Sequence, residues 1–155
     1  MTVLAESATL KLLRRAFLLL AVFSAAATAI ELALERHWQA GTQIIPWVSL
    51  VLIFVAVALV AFGGSFSLVR VAQVLAVVVV LTALYGIWAH VETNHDVGEL
   101  DQRYSQSWET LPESTRWWLA VTKSVGPSPP LAPAATAYAG ICVILATLRL
   151  ASPLV

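Results

Sequence analysis

Apolar positions run almost without interruption through four stretches of the chain, at about 16–34, 44–62, 71–91 and 133–148. Each is near the ~20 residues a helix needs to cross a hydrocarbon core of ~30 Å. The second is the cleanest, since no charged residue occurs between Arg36 and Arg70. The valine run from Val77 to Val80 would favour a strand in water. In hydrocarbon, every backbone polar group must be satisfied within its own segment, so helix prevails there. The pattern predicts an all-α fold, a four-helix transmembrane bundle in which residues 1–155 form a single membrane domain. Gly63-Gly64 predicts a tight turn between the second and third spans, and connections this short set neighbouring spans antiparallel.

The one long polar interval, 92–132, forms an outer segment too small for a soluble core of its own. Its second half predicts an amphipathic helix at about 111–125. Thr110 and Glu113 have capping-box spacing, Pro112 is tolerated in a first turn, and Gly126 is placed to close the helix. A helical wheel puts Leu111, Trp118, Leu119, Val121 and Val125 on one side, and Glu113, Arg116, Ala120 and Lys123 on the other. Such a helix is expected to lie flat at the membrane interface as a lid, or to offer a partner a docking surface formed by Leu111, Trp117, Trp118, Val121 and Val125. The following Gly126-Pro127-Ser128-Pro129-Pro130 predicts a short, stiff, extended link into the last span.

Composition agrees with the pattern. Apolar residues make up 59% of the chain and charged residues 12%, about half the charge of a typical soluble domain, and the mean hydropathy is +0.83. Nine basic and nine acidic side chains cancel, which removes the basic field that nucleic-acid binding needs. The lone Cys142 excludes an internal disulfide, a CxxC redox pair and a cysteine-built zinc site. Charge placement sets an orientation, because short cytoplasmic flanks are rich in Lys and Arg. Lys11, Arg14, Arg15, Arg70 and Arg149 share one side with Glu6 alone. Arg36, Arg103, Arg116 and Lys123 share the other with Glu31, Glu35, Glu92, Asp96, Glu99, Asp101, Glu109 and Glu113. Both termini are therefore expected to be cytoplasmic, with the acidic segments outside. A basic stretch, an apolar core at 17–23 and Ala27-x-Ala29 also match a secretory signal, but the segment is expected to be retained as the first span. All six tryptophans, Trp38, Trp47, Trp88, Trp108, Trp117 and Trp118, fall on the outer side, as an aromatic belt at the headgroup layer would.

Polar residues near span ends are the candidates for chemistry. Glu31 and Glu35 lie one turn apart, so a shared proton, a cation or an arginine between them would relieve their repulsion. His37 follows the first span and His90 closes the third, and in a bundle those two ends come to a similar depth. Glu31, Glu35, His37 and His90 are thus the candidate ligands of a metal or a haem. The competing expectation is that each histidine bonds water, headgroups or a carboxylate. His90 and His95 sit about 140° apart on a helix and do not chelate together, and Glu92-x-x-His95 is half of a di-iron motif without its second copy. Gln73, Thr82, Tyr85, Thr136 and Tyr138 either line a path or bond between helices. Small residues at 24–29 and around Thr136 and Gly140 predict close packing of the first span against the fourth. No charge sits at mid-bilayer, and no P-loop, G-x-G-x-x-G, G-x-S-x-G or H-E-x-x-H occurs.

Several of these segments resemble a family of small, uncharacterised four-span bacterial membrane proteins. Glu31-Leu32-Ala33-Leu34-Glu35-Arg36-His37-Trp38 with Gln43-Ile44-Ile45-Pro46 is similar to that family's first outer loop. Tyr85-Gly86-Ile87-Trp88-Ala89-His90 resembles the end of its third span. Pro130-Leu131-Ala132-Pro133 and Leu145-Ala146-Thr147-Leu148-Arg149 resemble the two ends of its fourth. The family's His-Pro after the terminal arginine is absent, since Leu150 follows Arg149 and the proline comes at Pro153. The resemblance implies a four-span bundle with Glu31, His37 and His90 at matching places, and it supplies no activity. The function expected is a non-catalytic accessory or scaffold subunit of a larger membrane complex, partnered by another membrane protein or a second copy. The alternative is a metal- or haem-binding membrane protein.

Overall fold

A computed structural model describes residues 8–148. The terminal charges Glu6 and Arg149, and the departure at Pro153, lie outside the described residues. The described chain is all-helical: α1 (Ala8–Leu34), α2 (Ile44–Phe62), α3 (Phe66–Asp96), α4 (Glu113–Val121) and α5 (Ala134–Thr147), with 3-10 turns at Gly41–Gln43, Gly98–Leu100 and Trp108–Thr110. Three helices, α1, α2 with its leading 3-10 turn, and α3, are long and apolar enough to cross a membrane, while α5 is a shorter apolar helix.

All four apolar stretches are helical, but α1 and α3 outrun the predicted bounds. α1 begins two turns before residue 16, and α3 runs from Phe66 to Asp96 rather than from 71 to 91. Hydropathy marks only the part of a helix that suits hydrocarbon. The backbone ladder continues through Lys11, Arg14, Arg70, Glu92 and His95 until a cap stops it. Two of the stops share one device. The N–H of His37 bonds the Leu32 carbonyl while Arg36 bonds Ala33, and the N–H of Ser124 bonds Leu119 while Lys123 bonds Ala120. These are Schellman closures, and their left-handed position is filled by Arg36 (φ 52°) and Lys123 (φ 54°) instead of glycine. Gly126, expected to end α4, is left-handed too (φ 77°) but sits further along, in the link.

The described residues form two compact units, one from 8–82 with 135–148 and one from 83–134. In the first, the core is a narrow, alanine-rich stripe: Ala21, Ala25 and Leu32 on α1, Leu50, Ile53 and Ala56 on α2, Ala72, Ala76 and Val79 on α3, and Ala139, Cys142 and Val143 on α5. Steps of three and four residues along each helix keep the stripe on one face. The large apolar side chains, among them Leu19, Phe23, Val51, Phe54, Val74 and Leu81, point outward and are exposed. Small inside and large outside is the arrangement that close helix packing takes in lipid, where the outward side chains cost nothing to expose.

Polar side chains within this unit tie helix to helix. Ser24 Oγ donates to the Ala135 carbonyl at 2.8 Å and Arg14 Nε to the Ala146 carbonyl at 3.1 Å, so α1 and α5 meet at both ends, as their small residues predict. Ser49 and Thr82 hydroxyls bond at 2.9 Å between α2 and α3, and Gln73 Nε2 donates to Thr147 Oγ1 at 3.1 Å between α3 and α5. Of the two expectations for Gln73 and Thr82, interhelical bonding is the one realised. Gly140 marks a close approach of α5 to α3: a Cβ there would lie 3.0 Å from the Ala76 carbonyl and from Val80.

Candidate functional site

The second unit is built on the last turns of α3, which present two working faces. Gly86, His90 and Asn94 are spaced by four and form one stripe, and all three meet the proline-rich link. A Cβ at Gly86 would lie 3.1 Å from the Pro133 ring. His90 Nδ1 is 2.7 Å from the Pro129 carbonyl, so the tautomer that satisfies both groups is the one with hydrogen on Nδ1. Asn94 is wholly buried and makes three hydrogen bonds: Nδ2 donates to Ala120 (3.2 Å) and to Ser128 (2.7 Å), and Oδ1 accepts the Ser128 N–H at 2.9 Å. Gly126 lies against Asn94 so closely that any Cβ would overlap the amide. Proline supplies no N–H, so Ser128 is the only residue of the Pro-Ser-Pro-Pro run with an amide hydrogen to anchor, and Asn94 anchors it.

The other face carries Trp88 and His95, seven residues apart. Trp117 of α4 stacks on both, at 5.3 Å from the Trp88 ring and 4.1 Å from the His95 ring. Trp108 closes the group, edge-on to His95 at 5.8 Å. Glu113 works at the rim: it accepts the Trp117 indole N–H at 2.8 Å, pairs with Arg116, and holds a carboxylate oxygen 3.5 Å from His95 Nε2. Arg116 reaches on to Glu109 at 3.7 Å, and His95 Nδ1 lies 3.7 Å from Asp96. His95 Nε2 is buried and makes no hydrogen bond. Chemically, this is an imidazole stacked on an indole, with a carboxylate beside each ring nitrogen.

Trp108 and Glu113 correct two expectations. Trp108 is buried with Val91, Ala120 and Val125 in the core of this unit, over a Gly98 where any Cβ would overlap the indole, so it is no belt anchor. The capping box does not form. Thr110 sits in a 3-10 turn and its hydroxyl donates to Ser107, so α4 starts at Glu113 and spans 113–121 rather than 111–125. Glu113 is thereby released for the aromatic cluster. The helical wheel is rotated as well: Ala120, placed on the polar side, is fully buried, whereas Trp118 and Val121 are exposed. Leu111 and Trp117 are half-buried around the core, and Val125 is buried inside it.

The sequence-predicted ligands are distributed as follows. Glu31 and Glu35 are exposed at the end of α1, and the Glu35 N–H extends the helix by one bond to Glu31. His37 is half-buried, and its backbone carbonyl accepts the Trp47 indole N–H at 2.7 Å, next to a Trp38–Trp47 ring contact of 6.0 Å. His90 is half-buried on the link. Within either unit, no three described His, Cys, Asp or Glu side chains gather closely enough to hold a metal ion. Sequence reasoning missed Asn94, Gly98 and the His95–Trp117 stack. The available signal was the i, i+4, i+8 spacing of Gly86, His90 and Asn94 before a proline run.

Beyond the site, the half-buried Asp101 pairs with the exposed Arg103 at 2.8 Å, and Arg103 also reaches the Ser124 carbonyl. The Arg103 side chain and N–H hold the Asp101 carboxyl down at a pKa of about 2. Comparison of the chain with protein-family models, curated proteins and solved structures finds no match.

Proposed function

We propose that the protein is a four-span integral membrane protein of a bacterial inner membrane, with both termini cytoplasmic, acting as a non-catalytic accessory or scaffold subunit. The observation that carries this reading is the distribution of side-chain size: alanine-rich stripes inside, large apolar residues outside on α1, α2 and α3. Such a surface needs lipid or the face of another membrane helix. At 14 residues, α5 is about 21 Å long. In this reading it is the fourth span of the bundle, entered through the rigid proline link. α3, at 31 residues, is about 46 Å long and outreaches a ~30 Å core by several turns. Those turns carry α4, which in this reading is the interfacial helix, with Trp118 and Val121 directed outward for lipid or a partner. The resemblance to the uncharacterised four-span family agrees with this topology.

The test is gentle extraction of the full chain from native membranes, followed by size analysis and identification of co-purifying proteins. A stoichiometric partner, or a homo-oligomer, is expected; a lone monomer under the mildest extraction would overturn the reading. Cys142 is the only cysteine, so single cysteines placed at the loops of a Cys142→Ala chain read the topology by labelling from either side.

A second reading, a metal- or haem-binding membrane protein, is favoured by one observation at His90. His90 turns Nδ1 onto a backbone carbonyl, the orientation that directs Nε2 of a histidine at a metal. Elemental analysis and a visible spectrum of natively purified protein decide it. A colourless, metal-free protein refutes it.

A further inference from the structure

Within the second unit, an exposed apolar strip runs from α3 onto α4. Leu84, Tyr85 and Trp88 share one side of α3, and each is exposed over about half of its surface. Trp88 stacks on Trp117 of α4 at 5.3 Å. Val121 follows Trp117 by four residues, about 40° round the helix, and Trp118 lies about 60° further on. These two are 50% and 66% exposed, the largest apolar exposure on α4. The opposite flank of α4 carries Arg116 and Thr115, with Leu119 packed on the core of the unit. One apolar surface therefore continues from the side of α3, through the Trp88–Trp117 contact, to the outer flank of α4.

The same residues indicate the medium that covers the strip. α3 is long and apolar enough to cross a membrane, and no Asp, Glu, Lys or Arg occurs on it between Arg70 and Glu92. Trp88 comes one turn before Glu92, at the level where such a helix passes from hydrocarbon to headgroups and where tryptophan and tyrosine concentrate. The stack on Trp117 holds α4 at that level. We propose that this strip is embedded in the headgroup layer of the bilayer that α3 crosses, with Trp118 and Val121 entering the headgroup–acyl boundary to a depth of ~5–10 Å. Its occupant is lipid, because the strip continues a face of α3 that lipid covers. The inference rests on the reading that α3 spans the membrane, and it adds which flank of α4 meets the bilayer.

The experiment is spin labelling of the purified full chain in vesicles of phosphatidylethanolamine and phosphatidylglycerol. Single cysteines are placed on a Cys142→Ala background: Val121→Cys on the strip, Glu109→Cys beside the Arg116 flank, and Val77→Cys at an exposed apolar position of α3. Dissolved oxygen concentrates in lipid, and a nickel chelate stays in water. The ratio of oxygen to chelate relaxation at Val121→Cys is expected to exceed that at Glu109→Cys severalfold. Trp118→Phe reads the same contact without a label. It should remove emission that lipid brominated near the headgroup quenches, and leave the acrylamide-quenched emission unchanged. Equal ratios at Val121→Cys and Glu109→Cys would overturn the proposal. So would a Val121→Cys label shielded from both reagents and broadened by a second label, the result for a strip covered by another copy of the chain. A water-like ratio at Val77→Cys would instead refute the membrane reading, a separate outcome.

Discussion

Replacing Asn94 by alanine tests how the outer segment is held. The amide makes three hydrogen bonds from a fully buried position, two to the Ser128 backbone and one to the Ala120 carbonyl. A net contribution of about 1 kcal/mol for each gives about 3 kcal/mol, with the orphaned backbone groups adding to the loss and any water entering the space subtracting from it. Local opening of the link should then become roughly a hundredfold more frequent. Hydrogen exchange reads this directly, because Ser128 lies between Pro127 and Pro129 and supplies the one amide hydrogen of that run. His90→Ala is the internal standard. It removes one bond, to Pro129, and should speed Ser128 exchange only about fivefold. If Asn94→Ala leaves Ser128 exchange within about threefold of wild type, or if His90→Ala matches it, the latch is not where the argument puts it.

Other substitutions probe the remaining devices. Lys123→Gly removes the left-handed strain at the end of α4 and should stabilise the second unit by up to about 1 kcal/mol, whereas Lys123→Val should destabilise it, both measured by tryptophan-monitored unfolding in detergent. Gly140→Val forces α5 away from the Ala76 carbonyl and should cost about 1–3 kcal/mol; thermal stability equal to wild type would contradict the close approach. The Asp101 carboxyl is lowered by Arg103, so its contribution is present above the ordinary carboxylate range and is lost as pH falls toward about 2. Exchange of the 122–126 backbone should therefore accelerate between about pH 4 and 2 beyond its intrinsic rate, and Asp101→Asn should abolish that dependence. Trp117→Ala breaks both ring stacks at once and should shift the tryptophan emission and loosen α4, while Trp118→Ala, at an exposed position, should leave the fold of the unit intact.

Helix positions in the apolar stretches were legible because hydrocarbon enforces them: α2 coincides with its prediction at 44–62, and α5 differs from its own by one residue at each end. The small-residue segments announced the α1–α5 approach, which Ser24 and Arg14 complete with hydrogen bonds. The outer segment was less legible because its elements are decided by contacts distant in sequence. Thr110 and Glu113 have the spacing of a cap, yet the burial of Trp108 over Gly98 draws Thr110 into a 3-10 turn and the cap is lost. Ala120 looks indifferent on a wheel and is fully buried, because Val91 and Val125 close around it. Asn94 carries no chemical signature in sequence; its value appears only when Ala120 and Ser128, 26 and 34 residues away, are brought to its amide.

The end of α3 shows why residue type alone misassigns such a segment. His90 and His95 attract attention as ligands, and each is engaged by its own face of one helix, His90 with the link and His95 with α4. The faces differ in what they leave over. On the link side, Asn94 and Ser128 satisfy each other, and His90 gives its Nδ1 to Pro129, so the segment is closed by backbone bonds and resists change. On the α4 side, His95 Nε2 is buried without a hydrogen bond, and the nearby Glu113 is divided between Trp117 and Arg116. A buried polar atom without a partner is costly, so the α4 side is the less fully satisfied of the two faces. Local opening or partner binding is therefore expected to register first at α4 and its exposed Trp118 and Val121. The proline link should stay fixed. Hydrogen exchange followed separately over 113–121 and at Ser128 as denaturant is raised would show α4 opening first, and concerted opening of both would refute the division.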